Sequence, residues 1–126
     1  MKDETRREAG YGSDLRVRTK QYALRVIHLC ESLPHGLSPS IIGKQLFRSG
    51  TSVGAQYREA KRAKSNADLI SKVEGSLQEL DESAYWLELL CESKIIRKEL
   101  LEPLMQETDE LLAILTTVVK NVKSQN

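Results

Sequence analysis

Aromatic side chains are scarce in this chain: its 126 residues hold one Phe, one Trp and four Tyr. A core must therefore be built from leucine and other aliphatic residues, and little exposed ring surface is left on which nucleic-acid bases can stack. Histidine is limited to His28 and His35, and cysteine to Cys30 and Cys91, far apart and without Cys-x-x-Cys spacing. Without that spacing a disulfide or a metal role is the lesser reading, and both cysteines are expected as buried free thiols. No apolar run reaches the roughly 18 residues that span a bilayer. The N-terminus, Met1-Lys2-Asp3-Glu4-Thr5-Arg6-Arg7-Glu8, has no hydrophobic segment behind its charges. A cytoplasmic protein with no membrane partner is expected. The Gly-x-x-x-x-Gly-Lys-Ser/Thr pattern is also missing, so the glycines at 50 and 54 do not make a phosphate loop.

What is present is the composition of one soluble globular domain, 40% hydrophobic and 29% charged. A domain of this length buries roughly two-thirds of the surface its unfolded chain exposes. Net charge is only +1, but its distribution is uneven. Residues 1 to 64 hold 13 Lys/Arg against 6 Asp/Glu, a balance of +7; residues 65 to 126 hold 6 against 12, a balance of −6. Such a dipole predicts either attraction between the halves, within or between subunits, or a basic face that meets a polyanion.

The hydrophobic period is helical throughout and predicts four helices with no sheet. The first is expected from Ser13 or Asp14 to about Ser32, with Leu15, Tyr22, Val26, Leu29 and Leu33 at heptad spacing and Leu33-Pro34-His35-Gly36 as its stop. Ser38-Pro39 offers a start for a second helix through Ile41, Ile42, Leu46 and Phe47, which continues past Gly50 to about Lys64. In its middle the small residues Gly50, Thr51, Ser52, Val53 and Gly54 predict a bend or a tight contact. Ser65-Asn66-Ala67-Asp68 can cap a third helix of about 28 residues, with Leu69, Val73, Leu77, Leu80, Ala84, Leu87 and Cys91 along one seam and Gly75 tolerated inside it. A fourth begins near Arg97 to Glu99 and carries Leu101, Leu104, Thr108, Leu111, Leu115, Val118 and Val122, with Pro103 in its first turns, where a missing donor costs least. Short connections around 34 to 38, 64 to 66 and 93 to 97 force consecutive helices antiparallel, giving an all-α up-down-up-down four-helix bundle. Its expected extent is residues 13 to 123, between a flexible lead at 1 to 12 and a frayed end at 124 to 126.

More apolar surface is present than one bundle core requires. Tyr85, Trp86 and Leu89 crowd the third helix, and Leu112, Ile114 and Val119 flank the fourth seam; helices apolar on several sides predict self-association through these residues. Ile95 and Ile96 are expected under the end of the bundle.

The order Arg48-Ser49-Gly50-Thr51-Ser52-Val53-Gly54-Ala55, Arg58-Glu59-Ala60, Ala67-Asp68-Leu69-Ile70-Ser71-Lys72, then Leu77-Gln78-Glu79-Leu80-Asp81-Glu82 leading into Tyr85-Trp86-Leu87-Glu88-Leu89-Leu90 resembles a bacterial four-helix-bundle family. Its founding members are encoded in intervening sequences of 23S ribosomal RNA genes. The resemblance covers about residues 14 to 120 and implies a ring-shaped homopentamer. A remoter likeness of fold links the family to the accessory protein of diversity-generating retroelements, a basic pentamer that binds a reverse transcriptase and nucleic acid; a shared fold alone does not carry that function. Gly54 and Gln56 stand where many members have proline and asparagine, while Glu59, Glu79 and Glu82 match acidic positions of the pattern.

Those carboxylates raise the question of a metal, but the Glu-x-x-His pairs that build di-iron bundles are missing, so Arg-paired or solvated glutamates and no cofactor are expected, Glu59 with Arg58 or Arg62 among them. No Ser, Cys or His can be tied by sequence to a positioned base, and His28 and Cys30, two apart on a helix, face different ways; no enzyme is expected. The functional lead is basic: Arg48, Arg58, Lys61, Arg62 and Lys64 along the second helix, with Arg18 and Arg25 a heptad apart on the first. Repeated around an oligomer, such a stripe would hold phosphate backbone by charge and shape, with affinity falling as salt rises. The expected function is a non-enzymatic homo-oligomeric scaffold that binds nucleic acid, RNA first and DNA second, or a nucleic-acid enzyme such as a reverse transcriptase. The alternative is a protein-binding adaptor with no nucleic-acid affinity; a metal-dependent bundle enzyme is a weaker third.

Overall fold

The structure, a computed structural model, describes the backbone of residues 2–125 and the side chains of residues 15–125. Helices follow in the order α1 (Lys2–Glu31), α2 (Leu37–Ala60), α3 (Asn66–Glu92) and α4 (Lys98–Ser124), with no strand among the described residues. No helix among them is long and apolar enough to cross a membrane.

Each short connection reverses the chain. Gly43 of α2 lies against Leu33, just past the end of α1, and Gly50 and Gly54 lie against Val26 and Thr19 of α1, a descending order that makes the pair antiparallel. Arg48, Val53 and Glu59 meet Glu82, Ser76 and Lys72 of α3 in the same reversed sense. Near the end of α4, Lys123 comes back to Glu74, near the start of α3 (3.5 Å). Neighbours in sequence are neighbours in space, whereas α1 and α4 close the ring only loosely.

The core is the expected three-four seam. Leu15, Tyr22 and Val26 of α1 are fully buried, as are Leu46 and Val53 of α2, Leu80, Leu87 and Leu90 of α3, and Leu101, Leu111 and Leu115 of α4. On α3 the seam is rotated from the one hydrophobicity predicts: Ser76, Ser83 and Leu90 are buried, while Leu77, Ala84 and Cys91 are half-buried on its flank. Serine can take a core position because each hydroxyl is satisfied. Ser76 Oγ donates to the Val53 carbonyl of α2 (2.9 Å), and Ser83 Oγ both donates to the Glu79 carbonyl (2.9 Å) and meets Ser49 Oγ (2.8 Å). Next to Ser83, Tyr22 Oη meets Thr108 Oγ1 (2.7 Å), which donates to the Leu104 carbonyl. The four hydroxyls of Tyr22, Ser49, Ser83 and Thr108 thus come from four different helices. Small side chains also let α2 and α3 come close, which explains the serines at the contact.

Of the two roles predicted for the small-residue stretch, close contact is the one it performs. Helix α2 runs on through Gly50 and Gly54. A Cβ on Gly50 would stand 2.7 and 2.9 Å from the Val26 methyls, and one on Gly54 3.1 Å from Thr19 Oγ1. Only glycine lets α1 pack at that distance.

Helix ends depart from expectation in four places. Helix α1 begins at Lys2 rather than near Ser13. Lys2 to Glu8 are mostly strong helix formers, and Gly10 and Gly12 weaken a helix by roughly 1 kcal/mol each without blocking it as proline would. The expected flexibility of residues 1 to 12 lies outside the described side chains, and Asn126 of the expected frayed end lies outside the described residues. Helix α2 starts at Leu37, not at Ser38-Pro39, with Gly36 at φ 143° as its cap residue. Pro39 is then the third helical residue, still within the turn whose donors are free. Helix α2 stops at Ala60, short of Lys64, because Arg62 and Ala63 donate back only three residues, to Glu59 and Ala60. Pro103 is the sixth residue of α4, beyond the free donors, so its missing N–H leaves the exposed Glu99 carbonyl to solvent.

Two ends follow expectation closely. Ser65 caps α3, its Oγ accepting from Asp68 N (3.1 Å), while the Asp68 carboxylate accepts from Lys64 N (3.2 Å). Lys94, at φ 63°, closes α3: its N–H reaches the Cys91 carbonyl, Ile95 N–H reaches the Leu90 carbonyl, and Ile95 and Ile96 fold under the core.

Candidate functional site

Because α1 and α2 are antiparallel, the start of the described α1 side chains lies beside the end of α2. Arg16 and Lys20 of α1 and Arg58 of α2 line one cleft, and Lys61, Arg62 and Lys64 follow immediately in the α2–α3 turn, all of them exposed. This end of the bundle is basic. From Leu15 to Arg58 the sequence holds a single carboxylate, Glu31, which lies at the far end of α1.

The cleft consists of two adjoining depressions of about 240 and 260 Å³ that share Arg16, Lys20 and Arg58. Ala23, Gly54 and Ala55 contribute to its walls, and their lack of bulk keeps it open. Thr19 and Thr51 also line it, but each hydroxyl donates to its own helix, Thr19 to the Leu15 carbonyl and Thr51 to the Phe47 carbonyl (both 2.7 Å). The uncommitted donors of the cleft, among the described residues, are therefore its cations. Arg16 and Lys20 did not emerge from the sequence reading. The signal was their four-residue spacing on a stretch of α1 that carries no acid between Leu15 and Cys30.

Other basic residues expected at the site are engaged elsewhere. Arg48 turns to α3 and binds Glu79 (3.2 Å) and Glu82; the Glu82 hydrogen bond, ahead of the charge of both carboxylates, raises its already high pKa. Arg18 turns to α4, where Nε donates to Glu107 Oε2 (3.1 Å) and Nη2 lies 3.3 Å from Glu110. Both were expected on the nucleic-acid face; both instead bridge the basic α1–α2 hairpin to the acidic α3–α4 hairpin. Arg25 is exposed on α1, near Tyr22 rather than in the cleft. Lys61, Arg62 and Lys64 sit in a turn, not along a helical stripe. Glu59 pairs with Lys72 of α3 (3.2 Å), not with Arg58 or Arg62. The three family-matching carboxylates all hold cations, and no group of three or more His, Cys, Asp or Glu among the described residues is placed to bind a metal ion.

The residues expected at a subunit contact divide in the same way. Tyr85 is 52% exposed, Trp86, Leu89, Leu112 and Ile114 are half-buried, and Val119, at 7%, belongs to the core of its own chain. Val119 is inside because the α4 seam steps by four from Leu115, past the half-buried Val118. Trp86 Nε1 is buried without a hydrogen-bond partner, and its ring meets Tyr85 edge-on at 5.1 Å. Further apolar surface, unremarked in the sequence as contact surface, is exposed at the opposite end: Leu37, Ile41 and Phe47 on α2. Beside Phe47 a broad open cleft of about 690 Å³ runs along Cys30, Leu33, His35, Pro39 and Lys44. Cys30 is half-buried there, its Sγ donating to the Gly43 carbonyl, and burial pushes its thiol up to about 11. A thiol so protonated is a poor nucleophile at neutral pH.

A four-helix bundle with charge sorted onto one end is thus the class of protein this fold defines. The chain belongs to the 23S rRNA-intervening sequence protein family, whose sequence model matches residues 13–117. A crystal structure of a protein of unknown function from the S23 ribosomal protein family of Bacteroides thetaiotaomicron is similar, with 34% identity and a TM-score of 0.81 over 86% of this chain and 97% of that one. No curated protein matches this chain.

Proposed function

We propose that the protein is a non-enzymatic homo-oligomeric scaffold, a pentamer as the family resemblance implies, that binds RNA through its basic end. The observation that carries this reading is the charge-sorted α1–α2 hairpin. Arg16, Lys20, Arg58, Lys61 and Arg62 make no ion pair among the described side chains, although Arg18, Arg48, Lys72 and Lys123 do. Unpaired cations gathered on one surface repel one another, and a polyanion relieves that repulsion by displacing counterions. The family name, which refers to ribosomal RNA genes, agrees with this ligand class.

Recognition rests on charge and shape, since the large exposed rings among the described residues, Phe47 of α2 and Tyr85 of α3, both lie away from the basic end. A mobility-shift experiment with structured RNA tests the proposal: a shift at about 50 mM salt that weakens by orders of magnitude at about 200 mM is expected. No shift at low salt would leave the protein-binding adaptor as the better reading.

A further inference from the structure

We infer that the α1–α2 cleft is a seat for a single phosphate group, gripped by Arg16 and Lys20 from one wall and Arg58 from the other. The inference rests on the nucleic-acid reading above for its biological ligand, but the cleft itself defines the chemistry. Its open donors are two guanidinium groups and one ammonium, and guanidinium forks match the oxygens of phosphate two at a time. Among the described side chains, α1 has no carboxylate between Leu15 and Cys30 and α2 none before Glu59, whose carboxylate turns to Lys72. The cations on the outer flanks of the same helices, Arg18 and Arg48, show what happens when a carboxylate is available: each is captured by the neighbouring helix. Arg16, Lys20 and Arg58 line a groove and make no ion pair among the described side chains, so an anion from outside the chain can supply their counter-charge. Gly54 and Ala55 leave the depth that an anion needs, and Gly54 is also the point where α2 must stay slim to pack on Thr19.

A phosphodiester, whose free oxygens stand on a tetrahedral phosphorus, can be approached from both walls of the cleft at once, whereas a carboxylate offers its two oxygens in a single plane. Each subunit would then contribute one fixed phosphate contact, with Lys61, Arg62 and Lys64 of the adjoining turn adding looser attraction along the strand.

The test uses the full chain labelled with nitrogen-15, titrated with inorganic phosphate and, in parallel, with acetate, while the Nε–Hε resonances of Arg16 and Arg58 are followed. Phosphate is expected to move both resonances saturably and acetate to move them far less. In the exposed double variant Arg16→Glu with Lys20→Glu the phosphate response is lost, affinity for structured RNA falls at least tenfold at low salt, and the salt dependence of binding flattens by about one contact per subunit. Lys61→Glu, outside the cleft, keeps the phosphate response. Unmoved resonances, equal movement by acetate, or a double variant that binds RNA like the parent would each overturn the inference. If phosphate moves the resonances but the parent binds no RNA, the seat stands and the nucleic-acid reading falls.

Discussion

The phenol of Tyr22 sits in the core with its hydroxyl on Thr108, and burial pushes its ionisation from 10.0 up to about 12, opposed only in part by its hydrogen bonding with the Thr108 and Ser83 hydroxyls. The folded state therefore holds the proton more tightly than the unfolded chain. Its contribution, on the order of 3 kcal/mol, is complete below pH 10 and is lost as pH rises toward 12. Urea unfolding followed from pH 8 to 12 should show stability falling steeply above pH 10. Tyr22→Phe should cost about 1 kcal/mol at pH 8 yet fall less steeply in alkali, and an identical slope in parent and variant would contradict this. Sequence alone places Tyr22 in the seam by its spacing from Leu15 and Val26. It does not give the partner, because Thr108 lies on α4 and the α1–α4 approach is the loosest in the bundle. Arg16 and Lys20 escaped for a related reason: whether a surface cation is free depends on what the next helix offers it, which periodicity does not record.

Helix number, order and packing direction were legible, since apolar residues at three-four spacing and short polar connections leave few alternatives. The α3 seam was not, because two adjacent rows, Leu77-Ala84-Cys91 and Ser76-Ser83-Leu90, compete for it and hydrophobicity favours the wrong one. The row that wins contains the side chains slim enough for the α2 contact and able to satisfy their own hydroxyls. Glycines in these helices divide by the same criterion of what stands opposite. Gly50→Ala places a methyl carbon 2.7 Å from Val26 in a packed core, so a loss of about 1–3 kcal/mol is expected despite better helix propensity. Gly75→Ala meets the Gln56 carboxamide, the end of a flexible side chain that can swing aside, and should be neutral or stabilise by up to about 1 kcal/mol. Chemical denaturation of the two variants compares them directly; equal losses would mean that the α2–α3 contact is as rigid as the α1–α2 contact.

Across the whole molecule, the dipole read from the two halves of the sequence is resolved in part as the first of its predicted outcomes, attraction between the halves. Arg18 and Arg48 tie the basic hairpin to the acidic one, and the cations beyond their reach are left at one end of the bundle. The apolar side chains left outside the core include Val17, Leu24, Leu37, Ile41, Phe47, Tyr85 and Leu100, which the proposed oligomer would have available for its contacts. Light scattering at micromolar concentration should accordingly report several chains per particle, and a stable single-chain species would remove the oligomeric part of the proposed function. Trp86 is the only tryptophan of the chain, its nitrogen sealed from water and its ring propped against an exposed tyrosine. Each copy consequently carries a built-in optical probe, whose emission colour and accessibility to quenchers register, without any dye, whatever comes to rest on that flank of α3.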